Sequence, residues 1–98
     1  MKIIKTTHVS GVLLDNMGNP MKEAQITVEK TDKDMSYTGL RTTVKTSIEG
    51  RYNFRLMEGF YKIFITPADK QTEIELGIAH VASRDYDTQY TIEELLNK

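Results

Sequence analysis

The stretch Glu49-Gly50-Arg51-Tyr52-Asn53-Phe54-Arg55-Leu56-Met57-Glu58-Gly59-Phe60-Tyr61-Lys62-Ile63-Phe64-Ile65 carries two alternating apolar runs on either side of a Glu-Gly pair, and a second Glu-Gly opens the first run. Glycine reaches the positive φ of tight connections, and alternation gives each strand one buried face. The stretch therefore predicts a β-hairpin, with Tyr52, Phe54 and Leu56 inward on one arm and Tyr61, Ile63 and Ile65 inward on the other. Phe60 and Phe64 fall on the opposite face of the second arm. A strand apolar on both faces is covered either by more of the chain or by a partner. Pro67 ends this arm, because it has no N–H to give to a ladder.

Working outward, strand signals recur at short intervals. Residues 5–14 alternate loosely, with Val9, Gly11 and Leu13 on one face and Val12 and Leu14 on the other, and stop at Asp15-Asn16-Met17-Gly18-Asn19-Pro20, a run of turn formers. Ala24, Ile26 and Val28 alternate with Gln25, Thr27 and Glu29 in a half-buried second strand. Residues 30–36 are polar enough to predict a mobile loop. A third strand follows, in which Leu40, Thr42, Val44 and Thr46 alternate with Arg41, Thr43 and Lys45. A sixth strand is carried by Ile74, Leu76, Ile78 and His80, with Gly77 marking a bulge or a close approach. Beyond Ser83 the pattern turns irregular, and Thr91-Ile92-Glu93-Glu94-Leu95-Leu96 has the spacing of a capping box opening a short helix.

The expected organisation is one domain over residues 1–98: a sandwich over 1–83, then an irregular segment and a short C-terminal helix over 84–98. Six to seven short strands without a long helical period predict an all-β, antiparallel sandwich. At 98 residues the chain is large enough for a modest core. A net charge of −1, with both signs interspersed, leaves no basic stripe to neutralise phosphates, so nucleic acid is not expected as a partner. Cysteine is absent, which excludes disulfides and thiolate chemistry and fits folding in a reducing cytoplasm. The opening Met1-Lys2-Ile3-Ile4 lacks the apolar stretch of about 7–15 residues of a signal peptide, and no run approaches the ~20 apolar residues of a membrane span. Neither secretion nor a membrane is expected.

Residues able to do chemistry do not assemble into a set. His8 and His80 are far apart, and neither has a second His or Cys at ligand spacing. The segment 15–19 is Asp/Asn-rich like a calcium loop but lacks the alternating ligands and closing Glu of an EF-hand, so it reads as a turn. Asp32 and Asp34 sit among lysines in a polar loop where nothing raises a carboxyl pKa. Ser10, Ser36, Ser47 and Ser83 have no Gly-x-Ser-x-Gly context. The expectation is no enzyme, no cofactor and no metal. Tyr86 and Tyr90, aromatics outside the sheet pattern, are candidate interface residues, as are Phe60, Phe64, Leu95 and Leu96.

Val9-Ser10-Gly11-Val12-Leu13-Leu14-Asp15 with Gly18-Asn19-Pro20, then Ala24-Gln25-Ile26-Thr27-Val28, Glu49-Gly50-Arg51-Tyr52 and Glu58-Gly59-Phe60-Tyr61-Lys62-Ile63, together resemble the N-terminal domain of prophage tail fibre proteins. The closing 91–96 segment resembles the acidic, Leu-ended segment that ends the same domain. The earlier pieces are also similar to carboxypeptidase regulatory-like and other transthyretin-like domains. The resemblance implies an immunoglobulin-like or transthyretin-like β-sandwich that attaches a host-recognition fibre to the phage tail or baseplate. Its partners would be tail or baseplate proteins, with homotrimers formed through the fibre, and its location the virion tail after assembly in the host cytoplasm. No stalk or tip follows Lys98, so the expectation is either a fragment of a longer fibre or a separate adaptor. The alternative is a transthyretin-like accessory or carbohydrate-binding module of a larger protein. A stalk domain with a Lys–Asn isopeptide bond is disfavoured, because Lys2 or Lys5 would need an Asn on the late strand and residues 73–82 contain none.

Overall fold

A computed structural model of the chain describes residues 5–32 and 37–97, so the readings made at Lys2, Asp34 and Ser36 fall outside the described residues. Seven strands are present: β1 (Thr7–Val12), β2 (Gln25–Thr31), β3 (Tyr37–Lys45), β4 (Arg51–Leu56), β5 (Gly59–Thr66), β6 (Ile74–Val81) and β7 (Gln89–Tyr90). A 3-10 turn, Ser83–Asp85, precedes β7, and a helix α1, Ile92–Leu96, follows it. The strands form two sheets, ordered β4-β1-β7 and β3-β2-β5-β6. The protein is an all-β sandwich with a short C-terminal helix. One pair departs from the antiparallel expectation: β7 runs parallel to β1, joined at His8–Gln89 and Val9–Tyr90.

The stretch 49–65 is not a hairpin. β4 pairs with β1, from Val12–Arg51 to Thr7–Leu56, whereas β5 pairs with β2 and β6 in the other sheet. Met57 and Glu58 carry the chain across the sandwich. Alternation specifies which face of a strand is buried but is silent on which strand lies beside it. The buried faces are those expected from the pattern: Tyr52 and Leu56 look across the core toward Tyr61, Ile63 and Ile65, all buried, with Phe54 half-buried beside them. The Glu49-Gly50 turn is tight as read. Gly50 has φ 78°, and a Cβ there would lie 3.0 Å from the Pro20 Cβ and 3.1 Å from the Leu13 carbonyl, so glycine is required both for conformation and for space.

Val9, Ile26, Ile63, Val81 and Leu95 are the best-buried side chains between the layers. Two boundaries differ from the sequence pattern. Lys30 and Thr31 continue β2 instead of starting the loop, because Thr31 is laddered to both Phe60 and Tyr37 and is buried. In β6 the pairing steps from Ile63–Gly77 to Phe64–Glu75, which leaves Leu76 as the extra residue of a bulge. Ala79 and Val81, opposite Tyr61 and Gly59, are the buried residues of β6; Ile78 and His80 face outward, opposite Lys62 and Phe60, whereas the bulge sets Ile74 opposite the inward Ile65, and Ile74, Leu76, Ile78 and His80 are all exposed.

Candidate protein interface

The outer face of the four-stranded sheet follows from the period-two geometry of β5. Phe60, Lys62 and Phe64 point away from the core because Tyr61, Ile63 and Ile65 point into it. Cross-strand neighbours shelter the two phenylalanines. The Phe60 ring stacks on His80, with centroids 4.3 Å apart and planes within 7°. The Arg41 guanidinium lies 5.3 Å from the centre of the Phe64 ring, and its Nη2 reaches Glu73 Oε2 at 2.5 Å while its Nε lies 3.7 Å from Glu29. Such an exposed ion-pair network contributes little by itself. Its position over an aromatic face adds about 0.5–1 kcal/mol and conceals apolar surface from water. Edge strand β6 leaves Ile78 exposed beside this face, while Ile74 and Leu76, on the other side of the bulge, are exposed at the inner margin near Ala24 and Ile65.

The other four interface candidates are engaged within the fold. Leu95 is 1% exposed in the core, and Leu96 packs partly buried against it, its Cδ2 3.3 Å from where a Cβ on Gly77 would stand. The Tyr86 hydroxyl accepts the Glu58 N–H at 3.0 Å, and the Glu58 carboxylate accepts the Ser83 N–H at 3.1 Å, so the 57–58 crossover is strapped to the segment after β6. Tyr90 donates its hydroxyl to Asp85 Oδ1 at 2.9 Å. That hydrogen bond, with some burial, raises the Tyr90 pKa above its ordinary value. Burial raises those of Tyr61 and Tyr52.

Two structural residues were not singled out in the sequence. Asp85, 3% exposed, receives the Ala82 N–H at Oδ2 (2.8 Å) and the Tyr90 hydroxyl at Oδ1, and its carbonyl accepts the Thr7 hydroxyl at 3.0 Å. It thereby ties the end of β6, the start of β1 and β7 together. The one local signal was an acid three residues after Ala82, the spacing of a turn-capping side chain. Gly11 lies under the Tyr52 ring, and a Cβ there would stand 2.8 Å from the Tyr52 hydroxyl. That is a close approach no local pattern reports.

Of the remaining polar candidates, several are hydrogen-bonded within the fold. Asp15 Oδ1 accepts the N–H groups of Met17 and Asn19, each at 2.9 Å, which makes 15–19 a side-chain-closed turn. The Ser47 hydroxyl accepts the N–H groups of Glu49 and Arg51 at 3.2 Å. His8 bonds Asn53 on the outer face of the three-stranded sheet, where Gln89 also donates to Ser10 at 2.5 Å. Among the described residues, no group of three or more His, Asp or Glu is placed to hold a metal ion. No helix among them is long and apolar enough to cross a membrane. No family model and no curated protein matches the chain.

Proposed function

We propose that this domain is a structural, non-catalytic component of a phage virion: the N-terminal domain of a tail fibre, or a separate adaptor, that attaches a host-recognition fibre to tail or baseplate proteins. Its place would be the virion tail, with trimers formed through the fibre. The observation that carries this reading is apolar surface left open at the sheet edges, above all along β6, with Ile78 beside the Phe60 and Phe64 face and Ile74 and Leu76 exposed at its inner margin. Sheet edges are natural sites of association, because their backbone donors and acceptors otherwise turn to water. The resemblance of segments 9–15, 18–20, 24–28, 49–52, 58–63 and 91–96 to fibre N-terminal domains suggests the assembly. Fractionation of purified particles tests it: the native full-length product should co-purify with tails, and deletion of its gene should reduce adsorption. Absence from particles together with unchanged adsorption overturns the proposal.

A second reading, a transthyretin-like accessory module that binds carbohydrate, is favoured by the hydrogen-bonded polar row His8, Asn53, Ser10 and Gln89 across the three-stranded sheet. Amide and imidazole groups on a flat face suit sugar hydroxyls. Signal above background on a glycan array, lost in Asn53→Ala, supports this reading, and a blank array removes it.

A further inference from the structure

The two sheets are unequal, and the deficit lies on one side. Next to β6 and β7 the sandwich is closed by α1, whose Leu96 lies over Gly77. At the opposite side, β3 and β4 are the free edges of their sheets, and the four-stranded layer extends past the three-stranded one. Of the inward positions of β3, Leu40 is consequently 60% exposed, and Val44 is half-buried against the core. A groove of about 310 Å³ runs between the two edges, with Phe54 and the 52% exposed Met57 on its other wall. Among the described residues, the charged ones at the groove are Lys30, at an inward position of β2, and Arg55, which borders it from the outer face of β4 and donates its Nη1 to the Thr6 hydroxyl at 3.3 Å.

The backbone of β4 indicates what shape fits there. The Arg51 carbonyl accepts the Ser47 N–H at 2.9 Å on the side away from β1. In an antiparallel ladder, alternate residues direct N–H and C=O to the same side, so Asn53 and Arg55 present theirs outward along the free edge. We propose that this groove receives an extended segment of another protein, added to β4 as a fourth strand. Alternate apolar side chains of that segment cover Leu40, Val44 and Phe54, and its carboxylates, on the opposite face, lie beside Arg55. A strand satisfies the outward backbone groups and matches the missing layer, which a helix would not. A second copy of this chain is the weaker occupant. Its acidic, apolar strand β6 is already laddered to β5, and Glu73 is held by Arg41.

The inference rests on the attachment reading only for which protein supplies the strand. Peptide binding tests the groove and particle fractionation tests the assembly, so each can fail without the other. The probe is a capped peptide of about seven residues alternating Glu and Val, with a Lys-Val peptide of equal length as control, titrated at low salt against the full chain with backbone amide shifts as readout. The expected result is binding of the Glu-Val peptide about tenfold tighter than the Lys-Val peptide, with shifts confined to β3 and β4. Arg55→Glu should reverse the preference. Asn53→Pro should abolish binding while keeping the fold, since the lost N–H points away from β1. If Asn53→Pro unfolds the chain, the Arg55→Glu reversal alone decides. No binding, equal binding of the two peptides, shifts centred on β6, or a concentration-dependent dimer blocked by Arg55→Glu would each overturn the proposal.

Discussion

The backbone N–H of Ile92 donates to the hydroxyl of Tyr52 at 2.9 Å, which fastens the first turn of α1 to the inner face of β4. The contact is possible because Gly11, between them on β1, has no Cβ: one built there would be 2.8 Å from that hydroxyl and 3.3 Å from Thr91 Cγ2. The capping box then satisfies further donors of the same turn, with Glu94 N–H on Thr91 Oγ1 and Thr91 N–H on Glu94 Oε1.

Gly11→Ala should therefore destabilise the domain by about 1–3 kcal/mol, through displacement of Tyr52 and loss of its bond to the helix. Tyr52→Phe alone should lose about 1 kcal/mol. When Tyr52→Phe is already present, the alanine should be less damaging, because the nearest clashing atom is gone. Urea denaturation of the four proteins forms the cycle, and strict additivity would show that the two residues are not coupled.

Asp85→Ala removes the acceptor of two hydrogen bonds at a site 3% exposed. Hydrogen bonds to a charged group contribute about 1.5–3 kcal/mol, so a loss of that order or more is expected, with amide exchange rising first across β7 and the start of β1. Asp85→Asn keeps one carbonyl oxygen and should lose less. Equal, negligible losses in both variants would remove Asp85 from its structural role.

Tyr90, Tyr61 and Tyr52 all have raised pKa values in the folded chain, by the Asp85 hydrogen bond for the first and by burial for the others. The folded state holds these protons more tightly than the unfolded chain, whose tyrosines titrate near pH 10. Their contribution is thus fully present below about pH 10 and is lost as pH rises from there through the folded values. Urea midpoints from about pH 8 to about pH 11 should fall at the alkaline end, and less steeply in Tyr52→Phe. A flat profile contradicts the assignment.

Leu95→Ala should cost about 2–5 kcal/mol, as for a buried leucine that leaves a cavity. Phe60→Ser and Phe64→Ser, on a half-covered outer face, should lose less in the isolated domain and more in the proposed association with tail or baseplate proteins. Thermal denaturation and co-purification with particles read the two effects separately. A stability loss at Phe60 or Phe64 equal to that at Leu95 would assign the outer face to the core.

Much of this architecture was legible in local patterns. The inward sets of β2, β4 and β5, the 15–20 turn, the Glu49-Gly50 turn and the Thr91 cap each depend on neighbours within a few residues, where side-chain period, backbone conformation and capping chemistry operate. The sheet partners of β4 and β5 were not legible there, because alternation assigns a face and leaves the ladder open: the same pattern suits a hairpin and two strands facing each other across a core. Nor were the burial of Asp85, the clearance at Gly11, the bulge at Leu76 or the exposed groove between β3 and β4. Each joins residues distant in the chain: strand pairing within one sheet sets Gly11 against Tyr52, the turn after β6 brings Asp85 to Thr7, and the packing of one sheet on the other puts Leu40 within reach of Phe54.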